Sequence, residues 1–188
     1  MVKFMEFLTG IDRAIFYFVN NRLHNPVLDV IMQTLTNQWI WLPPLALLAL
    51  YLLVKGGKKT KITVTLCIVA VALTDAFCYR ILKPFFERIR PFESIPHVLQ
   101  LAGAAGYSFP SNHAANTFAA ATVVTFFNRK AGVWFLGLAF LISFSRVYCG
   151  VHYPLDVFGG AAIGAAIGFL TVFFYRNFEW KKEPKKRF

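Results

Sequence analysis

The sequence predicts an all-α protein of the membrane: a polytopic helical bundle of five to six transmembrane helices with an interfacial N-terminal helix. Three observations carry that prediction. Hydrophobic residues make up 57% of the chain and charged ones 15%, a balance suited to lipid and too apolar for a water-soluble core. The apolar residues fall into five runs of near membrane-crossing length. The cations gather in the connections at one end of those runs. At 188 residues the chain is read as a single domain, 1–188.

Residues 1–37 form the interfacial region. The apolar stretch 15–19 is too short to span alone, and 26–35 mixes Asp29 and Gln33 with apolar residues, so the pattern gives one or two amphipathic helices at the bilayer surface, with one tilted sixth span as the alternative. The spans then run 39–54, 62–82, 114–127, 131–147 and 155–175. The third is the shortest, which fits a helix that starts below the membrane surface in a protein-lined polar cavity. In the fifth, Gly160, Gly164 and Gly168 repeat every four residues, a stripe suited to close packing on the Ala-rich third span in preference to a dimer seam. Residues 177–188 form a basic tail.

Charge orients the bundle. Lys55, Lys58, Lys59, Lys61, Arg129, Lys130 and the six cations from Arg176 onward share one side with only Glu179 and Glu183, whereas the other side holds eight cations and seven acids. The positive side is expected in the cytoplasm with the C-terminus, in a bacterium at the inner membrane. The +11 net charge is therefore an orientation signal and not a nucleic-acid patch. The N-terminus lacks a cleavable-signal pattern and is expected to be retained. Cys67, Cys78 and Cys149 do not make a disulfide framework. Nothing in the pattern calls for an obligate protein partner.

Three polar islands lie at the outward ends of these spans, and each has a bland reading beside a chemical one. Lys83, Arg88 and Arg90 belong to the first, where Pro84 and Pro91 suggest a broken loop; by themselves Lys83 and Arg90 are snorkelling cations, and Arg88 is read either as a contact to phosphate or headgroup or as a solvated loop charge. Pro110-Ser111-Asn112-His113 opens the third span, with Ser111 or Asn112 as N-cap and His113 in the first turn, at a helix end suited to an anion. Arg146 precedes His152, and Asp156 follows four residues on, behind Pro154; the carboxylate can hold one imidazole nitrogen and leave the other free. Asp75 and Arg80, inside the second span, read as a supporting pair; Glu87 and Glu93 read as solvated loop charges, and His24 and His97 as partnerless and non-catalytic. Three cations with two histidines point to phosphate chemistry, and no His/Asp/Glu/Cys group has metal-ligand spacing, so neither metal nor cofactor is expected.

Read together as K-x6-R-P, P-S-x-H and S-R-x5-H-x3-D, the islands resemble the tripartite signature of the type 2 phosphatidic acid phosphatase superfamily, which includes vanadium haloperoxidases and glucose-6-phosphatase. The resemblance implies a metal-independent phosphatase with His152 as nucleophile, His113 as proton donor to the leaving oxygen and Asp156 orienting His152. It also implies Lys83, Arg90, Ser111 and Arg146 around the phosphate, with Asn112 where the family pattern has glycine. The substrates implied are membrane lipids: phosphatidic acid, phosphatidylglycerophosphate, undecaprenyl diphosphate or the 1-phosphate of lipid A. A lipid phosphotransferase and a non-enzymatic anionic-lipid transporter are the alternative readings.

Overall fold

The computed structural model describes residues 2–182, and in these the chain is helical throughout its regular structure. An N-terminal helix α1 (Val2–Tyr17) runs through a π-helical turn (Phe18–Arg22) to α2 (Pro26–Thr36), capped by the Asn25 side chain on the Leu28 N–H. The long elements are α3 (Gln38–Lys55), α4 (Lys58–Phe77), α7 (Asn112–Phe127), α8 (Arg129–Tyr148) and α9 (Pro154–Lys182). A π turn (Cys78–Leu82) and α5 (Lys83–Phe86) prolong α4, and α6 (Pro91–Ser94) starts the long connection to α7.

Among the described residues, four helical stretches are long and apolar enough to cross a bilayer: Gln38–Lys55, Lys58–Ser94, Arg129–Tyr148 and Pro154–Glu179. The third predicted span becomes α7, whose 16 residues reach about 24 Å against a hydrocarbon core of roughly 30 Å. It lies at the centre, packed on α4, α8 and α9, so its shortness leaves room for a cavity at one end. The predicted tail begins as helix, because α9 continues to Lys182; residues 183–188, with Lys185, Lys186 and Arg187, lie outside the described residues.

The glycine stripe explains the closest contact. A Cβ on Gly160, Gly164 or Gly168 would come within 2.6 Å of the Ser111, Ala115 and Ala119 carbonyls, so α9 rests directly on the backbone of α7. The helix of the first island does not break at Pro84. The π turn widens the ladder where the proline ring would meet the preceding turn, and the break comes at Glu87, in the left-handed region at φ 46°.

The N-terminal region is stitched to the bundle by buried polar groups as well as by Phe16, which packs on Tyr153. Asn20 donates to the Leu99 and Tyr148 carbonyls at 2.9 and 2.7 Å and accepts from the Leu99 N–H. Asp29 accepts from the Tyr148 hydroxyl at 2.7 Å and also contacts His24 at 2.9 Å, which gives His24 the partner its sequence context did not reveal. An apolar face of α1 and α2, including Phe7, Ile11, Ile15, Val27 and Val30, remains exposed.

Candidate active site

The junction of α2 and α3, the end of α4 with its π turn, the N-terminus of α7, the C-terminus of α8 and the loops carrying residues 101–105 and His152 surround a cavity of about 880 Å³ at one end of the bundle. Lys83, Arg90, Asn112, His113, Arg146 and His152 all line it. Ser111 and Asp156 lie behind the wall, both fully buried.

Lys83, Arg90 and Arg146 are 7, 4 and 5% exposed, and among the described residues none forms an ion pair with a carboxylate. Backbone carbonyls hold them instead. Lys83 Nζ donates to Tyr107 O, and Arg90 donates to Gly106 O at 2.7 Å, Ala105 O at 2.9 Å, Tyr107 O at 3.3 Å and Val151 O at 2.8 Å. Lys83 and Arg90 of the first island thus converge on the Tyr107 carbonyl. Arg146 donates to the Thr36 hydroxyl, and its Nε has no partner. Three buried cations without counter-charge are costly, and the arrangement suits a multiply charged anion.

The His152 ring is oriented by what faces its two nitrogens. Nδ1 lies 3.5 Å from Asp156 Oδ2, within ion-pair range and without a hydrogen bond. Nε2 lies 3.3 Å from Arg90 Nη1, on the cavity side. Burial, followed by the charges of Arg146, Arg90 and Lys83, holds the His152 imidazole well below its ordinary pKa, so the ring is neutral at neutral pH and its Nε2 lone pair faces the Arg90 guanidinium. Asp156 is itself fixed: Oδ2 accepts the Tyr153 N–H at 2.9 Å and Oδ1 accepts Arg88 Nη1 at 2.5 Å.

Ser111 occupies the N-cap position of α7, yet its hydroxyl makes no cap bond and has no partner; its N–H donates to Asp156 O at 3.0 Å. His113 Nε2 is likewise buried without a partner. Asn112 turns its amide to Asp75 Oδ1 at 2.9 Å, and Asn116 does the same at 3.0 Å. Asp75 therefore pairs with these two asparagines and not with Arg80, as the sequence suggested.

Two residues were undervalued by sequence. Arg88 bridges Asp156 and Asp12 of α1, with its guanidinium 4.2 Å over the Tyr153 ring. Asp12 is 2% exposed and also accepts the Leu155 N–H at 2.8 Å. No motif spacing marks Asp12; its one signal was a carboxylate on a mostly apolar amphipathic helix.

A cationic, largely buried pocket with a neutral histidine backed by a carboxylate, placed at the ends of membrane helices, defines a membrane phosphoryl-transfer site. The chain belongs to the PAP2 superfamily, whose family model matches residues 63–180. It is similar to a lipid A 4'-phosphatase of Bacteroides thetaiotaomicron, 35% identical over 90% of this chain and 79% of that protein. It is also similar to the undecaprenyl-diphosphatase BcrC of Bacillus subtilis, 35% identical over 78% of this chain and 75% of that protein. Among solved structures, Aquifex aeolicus LpxE superposes with a TM-score of 0.72 and 32% identity, covering 85% of this chain and 93% of that one.

Proposed function

We propose that this protein removes a phosphate from a membrane lipid through a phosphohistidine on His152, without a metal. The observation that carries the reading is the trio of buried cations lacking carboxylate partners, gathered around the neutral, cavity-facing Nε2 of His152. The lipids named for its relatives, lipid A and undecaprenyl diphosphate, are the candidate substrates.

In this mechanism Lys83, Arg90, Arg146, the Ser111 hydroxyl and the free N–H groups at the start of α7 hold the phosphoryl oxygens. For Arg90 that means exchanging its contact with His152 for phosphate, since its remaining N–H groups are held by carbonyls. Asn112 contributes through its backbone N–H, because its side chain is committed to Asp75. The lone pair of His152 Nε2 forms the P–N bond as the bond from phosphorus to the lipid oxygen breaks, and His113 gives that oxygen a proton. Water then loses a proton to His113, its oxygen attacks phosphorus, the P–N bond breaks and inorganic phosphate leaves. Asp156 stabilises the charge His152 acquires between the two steps.

The site end of the bundle is opposite Lys55–Lys61, Arg129–Lys130 and the end of α9, and this supports a periplasm-facing site with a cytoplasmic C-terminus at a bacterial inner membrane. Single cysteines placed in the 92–106 loop of a cysteine-free variant should label with an impermeant thiol reagent in intact spheroplasts; labelling only after lysis would invert the orientation. The function itself is tested by phosphate release from purified protein offered phosphatidic acid, phosphatidylglycerophosphate, undecaprenyl diphosphate and lipid A phosphates, with and without a chelator. Release from at least one lipid, unchanged by the chelator, is expected; strict dependence on an added divalent ion would overturn the mechanism.

A further inference from the structure

The family match begins at residue 63, yet the C-terminal end of α2 reaches the cavity. Thr36, the last residue of that helix, lines the cavity and is 5% exposed. Its hydroxyl accepts a hydrogen bond from Arg146 Nη1. Its backbone carbonyl accepts one from the His113 ring. Since His113 Nε2 has no partner, that bond falls to Nδ1. One residue of the N-terminal region therefore holds both a cation of α8 and the histidine of α7. The end of α2 is itself fixed in place. Met32 is buried, Asp29 takes the Tyr148 hydroxyl at 2.7 Å, and the Asn37 N–H closes the helix on Gln33 O at 3.1 Å.

We infer that Thr36 is a positioning residue for phosphoryl transfer, its hydroxyl seating Arg146 and its carbonyl seating His113. The inference rests on the phosphatase reading and adds to it a residue from outside the span of the family match. A hydroxyl is a neutral acceptor, so it fixes the guanidinium without cancelling its charge; a carboxylate in its place would compete with the phosphate. With Nδ1–H held by Thr36, the task of proton transfer falls to His113 Nε2. That nitrogen gives its proton to the lipid oxygen in the first step and takes one from water in the second, while Nδ1 keeps its proton throughout. The carbonyl also belongs to the C-terminal end of a helix, where the backbone dipole is negative. It therefore stabilises the imidazolium that stands before the first transfer and returns after the second.

The test uses purified full-length protein in mixed micelles with the lipid phosphate it turns over fastest. Inorganic vanadate, whose five-coordinate form imitates the phosphoryl group in transfer, probes the anion site. Thr36→Val keeps the bulk and removes the hydroxyl, whereas Thr36→Ser keeps the hydroxyl and removes bulk. Thr36→Val should lower kcat/KM and raise the vanadate inhibition constant, each by roughly 10-fold or more, the worth of a hydrogen bond to a charged group. Thr36→Ser should stay close to the wild type, and a packing role would rank the two variants the other way round. The carbonyl is reached through Asn37→Pro. Asn37 lies at φ −80°, which proline accepts, but the residue before a proline leaves the helical region and its carbonyl swings round. That variant should lose roughly 10-fold or more in kcat on the lipid. It should keep its rate on an amphiphilic dinitrophenyl phosphate, whose leaving group needs no proton. Asn37→Ala, which removes only the side-chain cap on the Trp39 N–H, is the control. Thr36→Val equal to the wild type, or Thr36→Ser falling as far as Thr36→Val, would overturn the seat for Arg146 whether or not Asn37→Pro folds. Equal losses on both substrates in folded Asn37→Pro would overturn the seat for His113. Absence of phosphate release from every lipid would overturn the phosphatase reading, and the inference with it.

Discussion

Arg88 joins two carboxylates that would otherwise be buried near each other without a cation. Its loss should be felt first in stability: Arg88→Gln is expected to lower unfolding free energy by about 3 kcal/mol, and adding Asp12→Asn should recover part of that, a coupling a double-mutant cycle would reveal. Asp12 acts on the chemistry through Arg88 and the Leu155 N–H, which together fix Asp156 behind His152. Asp12→Asn should therefore lower kcat about 10-fold with KM little changed, and Asp12→Glu should restore part of the loss. Equal changes in kcat and KM, or no change in either, would reduce Asp12 to a packing role. The neutral His152 makes a further prediction. Its folded pKa is lowered by burial and by neighbouring cations, so protonation, and with it loss of the nucleophile, is reached only as pH falls below the ordinary imidazole value of about 6.5. The acid limb of kcat/KM should lie below that value; an inflection above it would show the ring to be charged in the free enzyme. Lys83, Arg90, His113, Arg146 and His152 were legible once the three islands were read together as a family signature, and they line one cavity. Asp12, Arg88 and Asn116 were not, because their partners lie 41 to 143 residues away and only the fold brings them together.

At the scale of elements, the contact between α7 and α9 sets the distance from the Ser111-His113 turn to Asp156. Gly164→Ala would push a methyl group into the Ala115 carbonyl, and overpacking of this kind costs about 1–3 kcal/mol. Gly137→Ala on α8 meets nothing within 4 Å and should be neutral or slightly stabilising. Thermal unfolding in one detergent would compare them; equal midpoints would mean that α9 has room to move away from α7. The glycine spacing announced this contact in the sequence, since small residues at every fourth position can serve close approach. The length of α7 was harder to read. Its apolar run suggested a span, and its central position, with neighbours on three sides, relieves it of the need to reach both surfaces. The π turn before Lys83 had no sequence signal beyond Pro84, whose more ordinary consequence is a break.

Over the whole molecule, hydropathy and charge asymmetry gave the bundle, because lipid imposes length and polarity on each crossing. They said little about the N-terminal helices, whose exposed apolar faces look interfacial while Asp12, Asn20, Asp29 and Thr36 reach inward to the site and its loops. The family's chemistry and this geometry meet in one claim, that His152 carries the phosphoryl group between lipid and water. The direct measurement is to mix purified protein with a lipid phosphate bearing radioactive phosphorus, quench within a turnover in alkali, and look for label on the chain. Acid-labile, alkali-stable label should appear on the wild type and vanish in His152→Ala, with turnover falling by at least about 1,000-fold. Steady phosphate release with no labelled chain, or label that persists in folded His152→Ala, would contradict the account.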